Sequence, residues 1–280
     1  MPWVGRINVK FILMGSVVLF WGFLGHAGDF SMTVAPSASL RYKGEGKILP
    51  QSYVNRFEGH TAPLYRLEWT QTAQPTGFWG LGLQHTGIFG GGRFGQESVS
   101  DGTGTPYQTN QMNVGFTNLF VTYHRPMVGI PVEAHVHLSV VREIFKRENF
   151  VVEGTGASGG VDDVNEISAE GIGFGFAGTH GARFFFRWQT AVHYYVQLFD
   201  AKTDASAGSI FQGEAGLGWR ITPRLSIEMG GLWQDWFILG QGNRRIHLEG
   251  TDGAVISYNR QQTTLQGLFF KIETRFATSK

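Results

Sequence analysis

Residues 132–140 read VEAHVHLSV, and every second residue of this stretch is apolar. Such a period of two predicts a β-strand with one apolar and one polar face. His135 and His137 fall on the polar face, about 7 Å apart along the strand. What these two imidazoles do depends on whether their face meets solvent, a metal ion or the inside of a closed structure.

The same alternation recurs along most of the chain, and no helical period of useful length accompanies it. About ten segments show it, and each is long enough to cross a bilayer as a tilted strand. They are residues 30–42, 63–69, 78–86, 117–123, 132–140, 170–177, 183–198, 211–221, 225–234 and 267–276.

The connections between these segments alternate in length. Four are short and contain Pro or Gly, namely TAQPTG (72–77), HRPMVG (124–129), THGA (179–182) and TPR (222–224). The others are long and polar, at about 44–60, 90–110, 147–166, 200–208 and 240–261. Short turns at one end and long loops at the other are typical of a membrane β-barrel. The sequence therefore predicts an all-β, closed antiparallel transmembrane barrel of about ten strands, with eight and twelve as alternatives.

The composition of the polar face separates a membrane barrel from a soluble sandwich. A soluble β-protein turns its apolar face inward, and a secreted sandwich or barrel is the alternative fold. Here the polar face is rich in glycine, which suits a narrow lumen, while the apolar face carries large side chains, which suit lipid. The polar-face glycines are Gly80, Gly82, Gly171, Gly173, Gly175, Gly216, Gly218, Gly230 and Gly267.

The first 27 residues have the pattern of a secretory signal peptide. Arg6 and Lys10 precede the uncharged run FILMGSVVLFWGFLG (11–25), and Gly25 and Ala27 fit the cleavage rule. The predicted domains are a signal peptide at 1–27 and one barrel at 28–280, although a retained N-terminal anchor is an alternative. The chain has no cysteine, which excludes disulfides and thiolate chemistry. Its net charge of +1 provides no field for nucleic acid.

WRITPRLSIEMGG (219–231) has the form of a strand, a short turn and a second strand, and FFKIETRF (269–276) has the form of a closing strand. The pattern resembles the small outer-membrane barrels of Gram-negative bacteria, of the OmpA, OmpX and opacity-protein type. This resemblance implies an outer-membrane monomer that contacts lipid and lipopolysaccharide, with chaperones and the barrel-assembly machinery as partners during biogenesis. Both termini would face the periplasm. Such chains commonly end on an aromatic residue, whereas here four residues follow Phe276.

Two sets of side chains follow from this interpretation. Residues on the polar face predict a network of paired charges that fills the lumen, because buried charges require partners. This set is Arg66, Glu68, Glu133, His135, His137, Arg187, His193, Glu214, Arg220, Glu228, Lys271, Glu273 and Arg275. Aromatic residues near the ends of the apolar runs predict girdles at the membrane surfaces. That set is Tyr42, Tyr65, Trp69, Trp79, Tyr123, Trp219, Trp233 and Phe276.

The favoured function is a structural or surface-interaction role through the extracellular loops, with no cofactor and no metal. One alternative is a small porin-like diffusion channel. Another is an outer-membrane hydrolase, either of the omptin type with acids and a His at the rim, or of the lipase type with Ser139 and His137. The rim candidates are Asp162, Asp163, Glu166, Asp235, His247 and Asp252. A metal site on His135, His137 and His193 is a further alternative, but His-x-His arises freely in any alternating strand.

The cleavage site gives a direct prediction. We expect the chain recovered from membranes to begin at Gly28, because Gly25 and Ala27 present small side chains to the signal peptidase. N-terminal sequencing or intact mass spectrometry measures this. A chain that still begins at Met1 would instead indicate a retained anchor.

Overall fold

The computed structural model describes residues 28–48, 51–87, 95–101, 106–152, 158–159, 163–198, 204–246 and 254–276. These residues form twelve β-segments. The described part of the chain contains no helix that could span a membrane. The segments are β1 (Gly28–Ile48), β2 (Gln51–Gln71), β3 (Phe78–Thr86), β4 (Gly95–Asp101), β5 (Pro106–Pro126), β6 (Val132–Val152), β7 (Ser158–Gly159), β8 (Asp163–His180), β9 (Phe184–Leu198), β10 (Asp204–Thr222), β11 (Leu225–Ile246) and β12 (Ala254–Phe276).

The segments close into a ten-stranded antiparallel barrel, which confirms the predicted fold class. β3 and β4 together form one barrel strand between β2 and β5, and β7 is a two-residue addition to β6. Closure comes from β1, which pairs with β2 on one side and with β12 on the other. No edge strand is left, so the backbone N–H and C=O groups of the wall are paired as a bilayer requires.

The four short turns lie at one end of the barrel, called the turn end below, together with Gly28 and Phe276. Gly77, Gly129 and Gly181 take positive φ values of 128°, 83° and 103° in three of these turns. Side chains other than glycine rarely adopt that conformation. The opposite end is called the loop end.

The strands are longer than the sequence pattern predicted, and they extend into the segments assigned to loops. β1 has 21 residues, which corresponds to about 70 Å of strand. At a tilt near 40° such a strand rises about 50 Å, twice the apolar band of about 25 Å that a barrel presents to lipid. About half of the wall must therefore stand outside the hydrocarbon.

The half of the barrel near the turn end carries the lipid-type surface. Its outer face exposes large apolar side chains on successive strands, and its inner face is polar. On β12, for example, Leu268, Phe270 and Ile272 are exposed outside, whereas Lys271 is buried inside. The outward set includes Val136, Leu138, Val140, Ile172, Phe174, Phe176, Leu217, Trp219, Ile227 and Met229.

In the half near the loop end the two faces exchange character. On β12 the outer positions become Gln262 and the exposed Arg260, while Leu265 is buried inside. Side chains of β12 still alternate between the two faces. What changes is the type of residue on each face. This half has a polar exterior and an apolar core, as a water-soluble barrel would.

One predicted girdle residue, Tyr42, is placed differently because of a β-bulge in β1. Tyr42 is 2% exposed and lies inside the barrel, with its ring 5.1 Å from that of Phe145. Register shifts between Ala35 and Ala38 insert extra residues into β1 and change the face of every later side chain. Leu40 and Tyr42 therefore point inward, not toward lipid as the unbroken alternation of residues 30–42 predicted.

The reversal predicts a position-dependent cost of charge on a single strand face. Leu268→Arg places a cation in the apolar belt and should lower the free energy of unfolding by about 2–4 kcal/mol. Gln262→Arg, on the same face of β12, should change it by about 0–1 kcal/mol because that position lies beyond the hydrocarbon. Equilibrium unfolding in lipid vesicles measures both. Equal costs for the two variants would contradict the assignment of the membrane boundary.

Candidate functional site

The interior of the barrel is the candidate site, and its contents change along the axis. Next to the turn end is an open vestibule. A layer of charged side chains and a row of histidines follow, and an apolar layer lies beyond them. The main contacts of the charged and apolar layers join strands that are not neighbours in the sheet, so they cross the lumen, whereas the histidine row runs along one wall.

Arg187 is the centre of the charged layer. From β9 it makes two hydrogen bonds to Glu273 of β12, Nη1 to Oε2 at 2.6 Å and Nη2 to Oε1 at 3.1 Å. Its Nη1 also lies 3.3 Å from Oε2 of Glu228 on β11. Lys271 stands beside Glu228 in the register of β11 and β12. A forked guanidinium between two carboxylates is among the strongest arrangements for joining separate strands.

A second crossing lies deeper in the lumen. Arg66 of β2 donates a hydrogen bond through Nη2 to Glu214 of β10, and its Nε lies 4.0 Å from Oε2 of Glu68. Gln84 of β3 donates to Gln234 of β11 at 2.8 Å. The space enclosed beside these four strands is about 20 Å³, room for about one water molecule.

Four histidines form a row along the wall made by β5, β6 and β9. The ring centres of His124 and His135 are 5.3 Å apart, those of His135 and His137 4.4 Å, and those of His137 and His193 4.7 Å. All four are buried. Ser139 extends the row, with its Oγ 3.3 Å from Nδ1 of His193.

Three glycines of β8 make room for this row. A Cβ atom at Gly173 would lie 2.8 Å from Cγ of His193, and one at Gly171 would lie 2.6 Å from Cδ1 of Tyr195. A Cβ at Gly175 would meet the imidazole of His135. The sequence GIGFGF (171–176) therefore supplies, on its inner face, the gaps into which neighbouring rings fit.

Several imidazole nitrogens of the row have no hydrogen-bond partner. These are Nδ1 of His135, both ring nitrogens of His137 and Nε2 of His193. Within the described ranges, no group of three or more His, Asp or Glu side chains already surrounds a point where a metal ion could sit. The row is thus a cluster of buried imidazoles in which several hydrogen-bonding nitrogens of neighbouring rings are left unused.

The apolar layer closes the lumen toward the loop end. Trp236 of β11 packs against Phe116 of β5, at 5.4 Å between ring centres, and against Tyr195 of β9, at 6.5 Å. Tyr42 of β1 meets Phe145 of β6. Leu40, Leu64, Met112, Val114, Ile210, Leu265 and Phe269 fill the space between these rings. Side chains from opposite walls touch here.

The vestibule is a cavity of about 360 Å³ that is open at the turn end. Its wall carries both signs of charge, including Glu68, Glu133, Arg187 and Lys271, together with His124. Its rim is tied by Arg275, whose Nε and Nη2 donate to the two carboxylate oxygens of Asp29 at 2.9 and 3.0 Å.

The structure places the predicted lumen residues as follows. Buried inside the barrel are Arg66, His135, His137, His193, Glu214, Glu228 and Lys271. Partly buried are Glu68, Glu133, Arg187, Arg220 and Glu273, and Arg275 is exposed at the turn end. Arg220 does not join the central network, since its Nη1 donates to the backbone carbonyls of Gly181 and Ala182 in the β8–β9 turn.

The predicted girdle residues other than Tyr42 lie mainly on the outer wall. Exposed there are Tyr65, Trp79, Trp219, Trp233 and Phe276. Tyr123 is partly buried and donates its hydroxyl to the carbonyl of Thr76 in the β2–β3 turn at 2.9 Å. Trp69 is 3% exposed, so its ring is covered.

Sequence reasoning missed two residues of the interior for different reasons. His124 begins the predicted turn HRPMVG (124–129), but the alternation of Leu119, Val121 and Tyr123 puts it on the inner face of β5. Asp29 carried no signal by itself, because its importance comes from the pairing of β1 with β12.

The hydrolase candidates are only partly described. Asp162, His247 and Asp252 lie outside the described residues, and only the backbone is described for Asp163 and Glu166. Asp235 is buried and accepts a hydrogen bond from Thr264. Ser139 contacts His193 and Tyr195, not His137.

No protein-family model matches the chain, and comparison with curated proteins gives no match. Solved structures do match. The outer membrane protease OmpT from Escherichia coli has 11% sequence identity and a TM-score of 0.62 over 89% of this chain and 97% of that chain. Ail of Yersinia pestis has 9% identity and a TM-score of 0.35, over 89% of this chain and 99% of that one. OprG from Pseudomonas aeruginosa has 11% sequence identity and a TM-score of 0.35, over 88% of this chain and 96% of that one. The chain resembles outer-membrane β-barrels in fold.

The charged layer predicts a large difference between two arginines. Arg187→Gln leaves Glu273 and Glu228 without their shared partner, and should destabilise the barrel by about 3–5 kcal/mol, as breaking a buried ion pair does. Arg275→Gln removes an exposed pair and should cost about 1 kcal/mol or less. Unfolding in urea, followed by tryptophan fluorescence in detergent, measures both. A similar loss of unfolding free energy in the two variants would show that the buried pair of Arg187 stabilises the barrel no more than the exposed pair of Arg275.

Proposed function

We propose that the chain is an integral, monomeric protein of the bacterial outer membrane whose barrel is sealed and whose work is done at its surfaces. The N-terminal segment of 27 residues and the apolar outer belt support export and insertion into that membrane. Lipid and lipopolysaccharide are then its permanent contacts, with chaperones and assembly machinery acting during biogenesis. The extended strands beyond the belt would present the loops to the outside for structural or interaction roles.

The apolar layer is the observation that carries this proposal. Trp236, Tyr195, Phe145, Phe269, Leu64, Met112 and Ile210 are among the most completely buried side chains of the molecule. Protein interiors of this kind pack like organic crystals and leave little space for water. A diffusion channel would need a continuous wet path, and the layer interrupts it above the histidine row. The porin-like alternative is therefore less well supported.

The hydrolase alternative has fold-level support only. OmpT, as its name states, is an outer membrane protease, but at 11% identity the likeness concerns the fold. Among the candidate acids with described side chains, Asp235 already accepts a hydrogen bond from Thr264. Ser139 and its neighbouring imidazoles are buried inside the barrel, away from any lipid substrate. We therefore do not propose catalysis.

Planar-bilayer recording tests the sealed barrel. The wild-type chain should give no steady ohmic conductance, because side chains from opposite walls meet in the apolar layer. Trp236→Ala combined with Phe145→Ala should admit ions at least intermittently, since both deletions leave cavities on the axis. Trp233→Ala removes a ring of the same strand from the outer face, so this control should stay silent. Steady conductance of the wild-type barrel would overturn the proposal and favour a channel.

A further inference from the structure

The histidine row has more hydrogen-bonding capacity than the sealed barrel uses. His135, His137 and His193 are 3%, 6% and 1% exposed, and together they keep four ring nitrogens without a partner. Other buried groups of the lumen also have an unpartnered atom, such as Nε of Arg66 and Oε1 of Glu214, but these two side chains are joined through their remaining atoms. Burying a polar group without a partner is unfavourable, so a cluster of such groups indicates that something else binds there.

The spacing of the rings fits a shared metal ion. An imidazole nitrogen binds Zn²⁺ at about 2.0–2.1 Å, which puts the ring centres of two tetrahedral ligands about 5 Å apart. The ring centre of His137 lies 4.4 Å from the ring centre of His135 and 4.7 Å from that of His193. The rings therefore stand at about the right separation. The nitrogens do not yet converge on one point, so the rings must turn about their own side-chain bonds.

The vestibule provides a route to this cluster. His124 lines the cavity, and its ring centre is 5.3 Å from that of His135. The Oε2 atom of Glu133, which also lines the cavity, lies 3.7 Å from Nδ1 of His124. A carboxylate beside an imidazole at the mouth of the row favours the entry of a cation. The apolar layer closes the other end, so an ion would enter and leave only from the turn end.

We propose that His135, His137 and His193 bind one divalent transition-metal ion, admitted through the vestibule past Glu133 and His124. Imidazole ligands select Zn²⁺, Cu²⁺ or Ni²⁺ over Mg²⁺ or Ca²⁺, which prefer oxygen. The bound ion would join β6 to β9 inside the membrane-spanning half of the barrel. The glycines of β8 have no side chains, so the inner surface of that strand is free for the imidazole rings to pack against.

The test uses the untagged chain purified from membranes in detergent. Equilibrium dialysis against Zn²⁺ should give one ion per chain, and Cu²⁺ should give an electron paramagnetic resonance spectrum with hyperfine structure from imidazole nitrogen. His137→Asn should weaken binding by about 100-fold or more, since loss of even an outer-shell partner costs 10–100-fold. The control His85→Asn changes a histidine of β3 that contacts Thr117 instead of the row, and should bind as the wild type does.

Two further variants test the proposed metal site if His137→Asn folds poorly. His193→Gln should also lose the ion, and Zn²⁺ should raise the melting temperature of the wild type but not of this variant. His124→Asn should slow uptake while keeping one ion per chain. Absence of Zn²⁺ and Cu²⁺ from the wild type, or equal binding by all the variants, would overturn the proposal.

Discussion

The barrel depends first on the pairing of its backbone. In hydrocarbon no water can satisfy an N–H or C=O group, so a sheet that crosses the bilayer must close on itself. The pairing of β1 with β12 achieves this closure over nearly the whole length of both strands. With ten strands, the circumference is small enough that long side chains from opposite walls meet at the axis. The ion pairs, the aromatic contacts and the inner glycines all follow from that narrow, closed geometry.

Closure alone does not decide which face of a strand is apolar. The apolar face differs between the two halves of the barrel. Near the turn end, lipid favours the large apolar side chains outside, and the inner charges must find partners such as Arg187 with Glu273. Near the loop end the wall meets water, so the apolar side chains turn inward and form a core around Trp236 and Phe145. On β12 one continuous strand thus combines a lipid-type surface near the turn end with a polar exterior near the loop end, and the boundary is where the polarity of its outer face reverses.

The histidine row lies just on the turn-end side of that boundary. It is neither part of the apolar core nor matched by opposite charges, as the arginines are. The glycines at 171, 173 and 175 make space for it, and Ser139 and Tyr195 connect it to the apolar layer above. Several of its imidazole nitrogens have no hydrogen-bond partner. A function for this row is therefore the simplest reason for its composition.

The sequence by itself determined the fold class, because a period of two and alternating loop lengths are local properties that each segment displays. Alternation also indicates the face of a side chain wherever the strand is regular. It did not reveal the face of Tyr42, because the register shift in β1 depends on its neighbours. Nor could it pair Arg66 with Glu214, which are 148 positions apart, or assemble the row from His124, His135, His137 and His193. Those contacts arise only when strands distant in sequence are brought to opposite or adjacent walls, which closure of the barrel decides.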